Sequence, residues 1–452
     1  MGRLLVPFEG LSGGVGEPTW GQLEVWPALN GLTRTMTIGG VMALPQGSTV
    51  AEAAMVLTFA MGRHQALRTR FRLDAKGGLR QQVVAGSGEF ALEIADADPA
   101  DDPAAVAAEI LGRYEDRIYD HAVEWPLRMA MVRHRGLVTH AVAVYSHLVI
   151  DGHGLDALTR DLANLDRDTG RALAPATGTQ PLDQAAWQRG PRGRRQADTA
   201  LRHWDRQLRA MPAARFRPLR GDPPGGPRLS VVELNSPVLG LAVRAYRART
   251  RIDTSTVLLA ATAVTLARLT GISPTVICEV VSNRFRPGLA ESVGVMNQNG
   301  LCVIDVAGVG FDEAVARSWR ASMGARMSAY YDPELLRQVV AGASRDRGEE
   351  LDLSCFFNYR RRDGTGAGSE ANPDSTPDAT IGSIRAALPR TTLRHRSHDD
   401  RPHERLFLNV TDAAEGLTMT LYTDRHVVSD EDSEALVRGV EAVVVEAALG
   451  AA

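Results

Sequence analysis

The chain has 452 residues, which is long for one compact core and sufficient for two. Apolar residues make up 44 % and charged residues 23 %, as in an ordinary globular protein, so disorder is not expected over most of the length. The formal net charge is −3, so no overall field favours binding to nucleic acid or to an anionic membrane.

Three further features of the composition exclude classes of chemistry. Lys76 is the only lysine, so no P-loop or Schiff-base lysine can be placed in a plausible motif. The three cysteines form no CxxC pair and are odd in number, and we predict that Cys278 and Cys302 are core residues. The sequence has no secretory signal and no apolar run of the roughly 18 residues that a membrane span needs. We therefore expect a cytoplasmic protein that binds neither nucleic acid nor membrane.

The first strong pattern along the chain predicts a helix over about 49–68, because apolar residues recur there on one face. Ser48 or Thr49, with Glu52 downstream, is typical of a capping box. A strand should begin where this helix ends, and a glycine turn then returns the chain as a second strand over 79–84.

The most informative segment of the chain covers residues 137–165. Residues 137–150, LVTHAVAVYSHLVI, are β-branched and apolar enough for a buried strand. Asp151 and Gly152 then break the strand, and a helix follows whose leucines share one face. The pattern therefore predicts a strand, a tight turn and a helix, with His147 just before the turn.

The composition changes near the middle of the chain, where Pro, Gly, Thr, Gln and Arg dominate and indicate a linker. We predict an N-terminal subdomain over 1–175, a linker over 176–200 and a C-terminal subdomain over 201–452. The second half should contain an amphipathic helix through Trp204, a long helix over about 254–269, strands over about 275–281, 301–306, 353–359, 406–410 and 417–422, and a closing helix over about 430–448.

Two segments of the second half carry too few apolar residues to build a core. Residues 363–380, DGTGAGSEANPDSTPDAT, should form a mobile loop. Residues 394–403 are rich in arginine, histidine and aspartate, and we predict a solvated basic loop there.

His147 is the sharpest candidate for chemistry. A histidine at the end of a buried strand lies where α/β folds expose reactive groups, and it can accept a proton near neutral pH. Asp151 could fix the turn through a buried ion pair, and Gly152 would let the backbone turn without a Cβ clash. The bare HxxxDG pattern fits a purely structural turn as well. His140 and His153 lie nearby, but no HExxH or paired carboxylate motif accompanies them, so no metal site is predicted.

Several motifs together resemble those of non-ribosomal peptide synthetase condensation domains, which belong with the chloramphenicol acetyltransferase-like acyltransferases. Residues 145–152, YSHLVIDG, look like the HHxxxDG signature, and residues 63–71, RHQALRTRF, are similar to RHExLRTxF. Further matches follow in the family's order and cover nearly the whole chain: 22–26, 186–187, 203–208, 266–271, 281–284, 291–294 and 357–359.

The resemblance implies an α/β fold of two acetyltransferase-like subdomains, arranged as a V-shaped pseudo-dimer with an active-site tunnel between them. His147 matches the functional histidine of the family, whose role is argued between general base and positioner of the nucleophile. Asp151 matches the structural aspartate, and Arg284 matches the partner of its carboxylate. Residues 282–299 would then be the floor loop, and part of 360–405 would be the latch.

The chain departs from the family pattern at two places. Ser146 replaces the first histidine of the motif, a change that family members tolerate, whereas loss of His147 would argue for an inactive enzyme. Beyond the motif, an ungapped alignment puts Gln298 and Asn299 at a family Asn-Thr pair. Polar Asn297, Gln298 and Asn299 in place of aromatic residues suggest a tunnel altered for an unusual substrate.

The function that the resemblance implies is amide or ester bond formation. An amine or hydroxyl would attack a thioester that an acyl or peptidyl carrier protein presents on phosphopantetheine, so the chain itself holds no cofactor. The lack of adenylation and carrier-protein sequence implies a free-standing enzyme that acts in trans, and a monomer is expected. The alternatives are an acyltransferase that uses coenzyme A thioesters and a non-catalytic module that recruits carrier proteins or an oxygenase. Residues 394–403 would, in the functional alternative, be a docking patch for acidic carrier proteins.

Overall fold

The computed structural model describes residues 2–30, 36–212, 216, 225–361, 379–398 and 404–450. The chain divides into two compact units. The first unit comprises Met1–Gln196 and Ser282–Asn297, and the second comprises Ala197–Val281 and Gln298–Ala452. The short segment Ser282–Asn297, which we call loop 282–297, therefore packs with the first unit although both of its neighbours in sequence belong to the second.

The first unit contains eight described strands and five whole helices. The strands are β1 (Gly2–Glu9), β2 (Gly14–Gly16), β3 (Thr37–Ala43), β4 (Thr69–Leu73), β5 (Leu79–Val84), β6 (Ser87–Ala97), β7 (Leu127–His134) and β8 (Leu137–Ser146). The helices are α1 (Trp20–Leu29), α2 (Val50–Arg63), α3 (Pro103–Glu115), α4 (Gly152–Asp161) and α5 (Pro181–Arg189), while α6 (Pro191–Ala210) begins here and ends in the second unit.

The larger sheet of the first unit has the order β1-β6-β7-β8-β3, in which β6 and β7 are parallel and the other neighbours antiparallel. One face of this sheet packs against α3. A second cluster contains apolar residues of α2 and α4, the turn residues Leu148, Val149 and Ile150, and Val293 and Val295 of loop 282–297. A smaller sheet has the order β2-β5-β4. The end of β8 therefore enters the core of the unit.

The second unit is built on a seven-stranded sheet with the order β11-β10-β12-β14-β15-β9-β13. Its strands are β9 (Leu229–Ser236), β10 (Thr275–Val281), β11 (Gln298–Ile304), β12 (Cys355–Arg360), β13 (Thr392–His398), β14 (Leu406–Ala413) and β15 (Gly416–Asp424). Its helices are α7 (Pro237–Thr250), α8 (Thr254–Thr270), α9 (Phe311–Met327), α10 (Pro333–Arg347), α11 (Ile381–Ala387) and α12 (Asp430–Leu449). The main core lies between the sheet and helices α7, α8 and α12, and a second cluster contains Trp204 and Leu208 of α6.

Many elements predicted from periodicity are present with similar bounds. The Thr49 hydroxyl accepts a hydrogen bond from the Glu52 N–H and the Glu52 carboxylate accepts one from the Thr49 N–H, so the predicted capping box is confirmed. The predicted strand 275–281 coincides with β10. Cys278 and Cys302 are buried in the second unit, as predicted.

The helix predicted over 49–68 is too long, because α2 ends at Arg63. His64 adopts an extended conformation with φ −107°, and residues 65–68 form a single 3-10 turn. Both Arg63 and His64 contact the carboxylate of Asp161, at 2.5 and 2.9 Å. These largely buried polar contacts override the apolar periodicity that predicted a continuous helix.

The strand predicted over 137–150 is also too long, because β8 ends at Ser146. The Ser146 carbonyl accepts a hydrogen bond from the Val149 N–H (3.1 Å), and the Ser146 hydroxyl accepts one from the Leu148 N–H (3.2 Å). The chain therefore turns immediately after the strand. Leu148 and Val149 are nevertheless buried in the core, which is why the run resembles a strand in its composition.

The residues predicted as a linker, 176–200, are mostly helical. Pro181 and Pro191 begin α5 and α6, where the fixed proline φ favours the first helical turn. The buried Gln188 side chain accepts a hydrogen bond from the Trp20 N–H at 2.9 Å, so this segment packs into the first unit.

The basic segment 394–403, predicted to be a solvated loop, begins as the edge strand β13. Arg394 lies opposite Glu233 of β9, and main-chain pairing along β9 holds the strand while its basic side chains remain exposed. The rest of that segment and most of the predicted mobile loop 363–380 lie outside the described residues.

Within the described ranges, no single helix is long and apolar enough to cross a membrane. Helices α7 and α8 reach those limits only as a pair, and they are bent by 111° at the break between them.

Arg68 should be a principal source of stability in the first unit. It is fully buried and donates hydrogen bonds to the carbonyl groups of Met61 (2.9 Å), Ser12 (2.5 Å) and Ala85. Because Arg68→Ala would remove the donor of all three hydrogen bonds and leave a cavity in place of a fully buried side chain, we expect a loss of about 3 kcal/mol in the free energy of unfolding, measured by urea denaturation. Arg72→Ala, at an exposed position of β4, is the control and should have little effect.

Candidate active site

His147 is the first residue after β8, at the point where the buried strand gives way to a turn. Its main-chain N–H donates to the Met36 carbonyl at 3.1 Å, which continues the pairing of β8 with the β3 side. The side chain is partly buried. The backbone of His147 is therefore fixed by the sheet, while its imidazole lies at the edge of the core.

The hydrogen bond of the ring fixes which nitrogen of His147 carries the proton. Nδ1 lies 3.0 Å from the Ile150 carbonyl oxygen, which can only accept a hydrogen bond. In the neutral ring Nδ1 is therefore the protonated nitrogen, and Nε2 keeps the lone pair that can accept a proton. The turn 147–150 thus sets both the orientation and the tautomer of the imidazole.

The carboxylate of Asp151 is the most heavily bonded group of the site. It caps the first turn of α4 by accepting from the Gly154 N–H at 2.6 Å. It also accepts from the guanidinium of Arg284 at 2.8 Å, which is the pairing that the resemblance implied. Its second oxygen accepts from the N–H groups of Met296 (2.8 Å) and Asn297 (3.2 Å). Four donors, one from α4 and three from loop 282–297, therefore meet at one buried carboxylate.

The surroundings keep Asp151 ionised. Burial opposes its charge, but the positive charge of Arg284 and the N–H groups of Met296 and Gly154 outweigh that effect. The pKa of Asp151 consequently lies below its ordinary value. Because every one of these donors is already used by the carboxylate, its role is to hold the loop and the helix together.

Arg284 holds loop 282–297 in a closed turn. Besides Asp151, its guanidinium donates to the carbonyl groups of Leu289 (3.1 Å), Ser292 and Gly294 (3.1 Å). A single side chain therefore satisfies three carbonyl groups of its own loop and the charge of the aspartate. This geometry requires arginine, since a lysine has one nitrogen in place of the planar guanidinium fork.

Two glycines allow other segments to approach this loop closely. A Cβ atom on Gly154 would lie 2.7 Å from the Gly294 carbonyl oxygen, and one on Gly21 of α1 would lie 2.1 Å from that of Val295. Gly152, which was expected to relieve a clash in the turn, is the first residue of α4. The glycine next to the motif that a close contact requires is therefore Gly154, which lies against the Gly294 carbonyl group. Sequence reasoning missed this residue, although it is the second glycine of the DGHG sequence.

Asn283 is a second residue whose part in the site was missed. It is fully buried with φ +57°, a left-handed conformation that asparagine adopts more readily than most residues. Its side-chain amide donates to the Met296 carbonyl at 3.0 Å and accepts from Arg286 at 3.1 Å. Asn283 therefore ties the start of the loop to its end, and its place just before Arg284 is the signal that could have revealed it.

Ser146 and Gln298, two of the four predicted substrate-binding residues, have structural partners. Ser146 is 1 % exposed, and its hydroxyl accepts from the N–H of the turn described above. Gln298 is also 1 % exposed, and its amide donates to the Tyr331 carbonyl at 3.0 Å and accepts from the Tyr331 N–H at 3.4 Å. A polar side chain at position 298 therefore has an explanation within the second unit itself.

Asn297 and Asn299, the other two predicted substrate-binding residues, are partly buried. The side-chain oxygen Oδ1 of Asn297 is buried and has no hydrogen-bond partner among the described residues. Asn299 lies in β11, opposite Val280 of β10. The main-chain N–H of Asn297, in contrast, donates to the Asp151 carboxylate, so the residue belongs to the part of the loop that Asp151 holds.

His140 and His153 are not assembled with His147 into a metal site. His140 lies within β8, with its Nδ1 3.1 Å from the Thr139 hydroxyl, and His153 lies in the first turn of α4. In the part of the chain that the structure describes, no group of three or more His, Cys, Asp or Glu side chains is arranged to bind a metal ion.

We compared the sequence with models of known protein families and with known proteins. The family model of the condensation domain matches residues 43–382. The chain belongs to the condensation-domain family. Nonribosomal peptide synthetase kk1B of Curvularia clavata is 29 % identical to this condensation domain over 241 residues, which are 51 % of the chain and 2 % of that synthetase. The match thus spans only a small part of that relative, so the activity of the whole synthetase is not transferred to this chain.

Solved structures show the same fold. A condensation domain that mediates chain release from the enacyloxin polyketide synthase superposes with a TM-score of 0.72 at 20 % identity, over 98 % of this chain and 83 % of that chain. The X-domain from teicoplanin biosynthesis, in a complex with OxyB, superposes with a TM-score of 0.69 at 19 % identity, over 99 % of this chain and 96 % of that chain. The predicted α/β condensation-domain fold is therefore confirmed.

Asp151→Asn should destabilise the first unit, because it leaves the buried Arg284 without its counter-ion. We expect a loss of about 3–5 kcal/mol at pH 7 in urea unfolding. Because the pKa of Asp151 is depressed in the folded state, its contribution is complete above the unfolded pKa of about 3.9 and is lost as pH falls through the folded value. The gap between wild type and variant should therefore narrow below about pH 4. Asp168→Asn, at an exposed position, is the control, and a gap independent of pH would contradict this account.

Proposed function

We propose that this condensation domain joins an acyl or aminoacyl group, delivered as a thioester on a carrier protein, to an amine. The observation that carries the proposal is the arrangement around His147, with its side chain at the strand end, its tautomer fixed by Ile150, and the Asp151–Arg284 pair behind it. A hydroxyl acceptor, which would give an ester, is the second form of the same reaction. The chain is proposed to act as a cytoplasmic monomer that receives its carrier protein in trans.

In the proposed reaction Nε2 of His147 binds the attacking amine and accepts its proton as the carbon–nitrogen bond forms. The thioester carbon then releases the phosphopantetheine thiolate, which leaves with the carrier protein and takes up a proton. Phosphopantetheine supplies the activated acyl group, and the chain supplies the oriented imidazole. Asp151 contributes by holding the segments around the histidine and does not contact it through a hydrogen bond among the described residues.

A non-catalytic recruitment module is the second candidate function. Ser146 stands where the family motif has its first histidine, and the fold is shared with an X-domain that forms a complex with OxyB. An acyltransferase that uses coenzyme A thioesters is the third. The three candidates differ in what they require. Condensation requires both the carrier protein and the His147 side chain, recruitment requires only the carrier protein, and the coenzyme A-dependent acyltransferase requires only His147.

His147→Ala separates these functions in a mass-spectrometric condensation assay. Candidate donors are presented on phosphopantetheinylated carrier proteins in trans, with mixed amine and alcohol acceptors. We expect product with the wild type and at least about a hundredfold lower rate with the variant, since general acid–base groups contribute that much. His140→Ala, within the strand β8 that precedes His147, is the matched control and should retain activity.

The other outcomes identify the competing candidates. Equal turnover of free coenzyme A thioesters would replace the carrier-dependent reaction by the simpler acyltransferase. Carrier binding that is the same in wild type and His147→Ala, without product from a broad panel of donors, would favour recruitment. The product that the wild type forms also shows whether the new bond is an amide or an ester.

We further propose that Asn297 contacts the substrate, since its buried Oδ1 has no partner of its own. Asn297→Leu should change the ratio of kcat/KM between two donors by about tenfold, with the melting temperature nearly unchanged. Gln298→Leu is the contrasting variant, because its loss of two hydrogen bonds to Tyr331 should lower stability in thermal unfolding. An unchanged substrate profile in Asn297→Leu, measured in the same assay, would contradict the assignment.

A further inference from the structure

The second unit contains a large cavity that the proposed reaction does not use. Its volume is about 670 Å³, within the roughly 300–1,000 Å³ of small-molecule sites. The walls are one face of α7, the start of α8, the end of β12 and the turn between β14 and β15. Every lining residue belongs to the second unit, whereas His147 lies in the first. The cavity is therefore formed by residues of the second unit alone.

The charged residues of this cavity are four arginines and three acids: Arg244, Arg247, Arg361, Arg390, Asp253, Asp412 and Glu415. Each acid already has a hydrogen-bond or ion-pair partner within the protein. Asp412 accepts from the Tyr359 hydroxyl at 3.0 Å, and Glu415 forms an ion pair with Arg390. Asp253 caps α8 through the N–H and hydroxyl of Thr256, at 3.0 and 2.7 Å. The acidic groups are thus occupied by their own neighbours.

Arg244 is the exception among these charges. Arg244 lines the cavity and is partly buried, and its side chain makes no hydrogen bond and no ion pair with any described residue. Burial lowers the pKa of Arg244, and no acidic group opposes that effect. A guanidinium that is partly removed from water and unpaired is costly, and a bound anion would restore its lost hydrogen bonds.

Two other features of the wall suit an organic anion. Thr254 and Ser255, the first residues of the 17-residue helix α8, line the cavity, so the positive end of the helix dipole faces it. Leu241, Val243 and Leu417 supply apolar surface beside the arginine. The site therefore combines a cation that has no partner among the described residues with room for an apolar body.

We propose that this cavity, which we call the Arg244 cavity, binds a small organic oxyanion, with a phosphate or carboxylate group held by the Arg244 guanidinium. The bidentate geometry of guanidinium with phosphate or carboxylate is the recognition element. The apolar wall holds the rest of the ligand. This site is independent of condensation at His147, and its occupant is a second ligand of the protein.

Isothermal titration of the full chain at low ionic strength tests this proposal with inorganic phosphate, phenyl phosphate and benzoate. We expect saturable binding at one site, tighter for phenyl phosphate than for inorganic phosphate because of the apolar wall. Benzoate distinguishes a carboxylate site from a phosphate site. Arg244→Gln should weaken binding about tenfold or more, in line with the loss of hydrogen bonds to a charged group.

Glu415→Gln should change the affinity for anions in the opposite direction. It releases Arg390 from its exposed ion pair, so the affinity for the same anions should rise about two- to fivefold. Arg438→Gln on α12, an exposed arginine outside the cavity, is the control and should bind as the wild type does. Circular dichroism melts check the folding of each variant. If Arg244→Gln does not fold, the expected rise in anion affinity of Glu415→Gln still tests the proposal.

Three results would overturn the proposal. The first is no saturable binding of any of the three anions to the wild type. The second is binding that is unchanged in both Arg244→Gln and Glu415→Gln. The third is an equal loss in Arg244→Gln and Arg438→Gln, which would indicate general attraction to a charged surface.

Discussion

The geometry of the candidate site depends on one buried carboxylate. Asp151 accepts hydrogen bonds from the start of α4, which follows it directly, and from both ends of loop 282–297, which is far away in sequence. Each bond alone is modest, but an unpaired buried charge would be strongly unfavourable, so all of them must form together. The same condition fixes the turn 147–150, because His147 and Asp151 lie at its two ends. The proposed catalytic side chain of His147 therefore lies beside a turn that the hydrogen bonds of Asp151 hold in place.

The sequence predicted the fold best where a local pattern and the tertiary environment agree. The capped helix α2 and the apolar strand β10 are examples, since periodicity and burial coincide there. Strand β3, with the sequence TIGGVMA, could not be predicted, because glycine weakens strand propensity and only its pairing with β8 holds it. The ends of α2 and β8 were misplaced for a related reason: hydrogen bonds from polar side chains stop the elements while the apolar composition continues.

The residues of the site were predictable where each of them lies in a local sequence motif. His147, Asp151 and Arg284 lie in motifs that can be recognised one by one, and the ion pair follows from the family resemblance. The contribution of Gly21 could not be inferred, because its need for a missing Cβ arises from a carbonyl group on a loop more than two hundred residues away. For Gln298 the sequence suggested a function where the structure shows a structural contact. Its polarity suggested substrate binding, yet its amide is bonded to the main chain of Tyr331.

The hydrogen bonds around His147 also limit how it can act. In a catalytic triad a carboxylate bonds to Nδ1 and stabilises the imidazolium that forms when the base accepts a proton. Here Nδ1 bonds to the neutral carbonyl of Ile150, and the charge of Asp151 is already balanced by Arg284. Among the described residues, Nδ1 of His147 therefore lacks the carboxylate partner that a triad histidine has. An amine that attacks a thioester needs less assistance than a serine that attacks an amide, because both reactants are activated. In the proposed reaction His147 would therefore act mainly by orienting the amine, and would accept its proton as the bond forms.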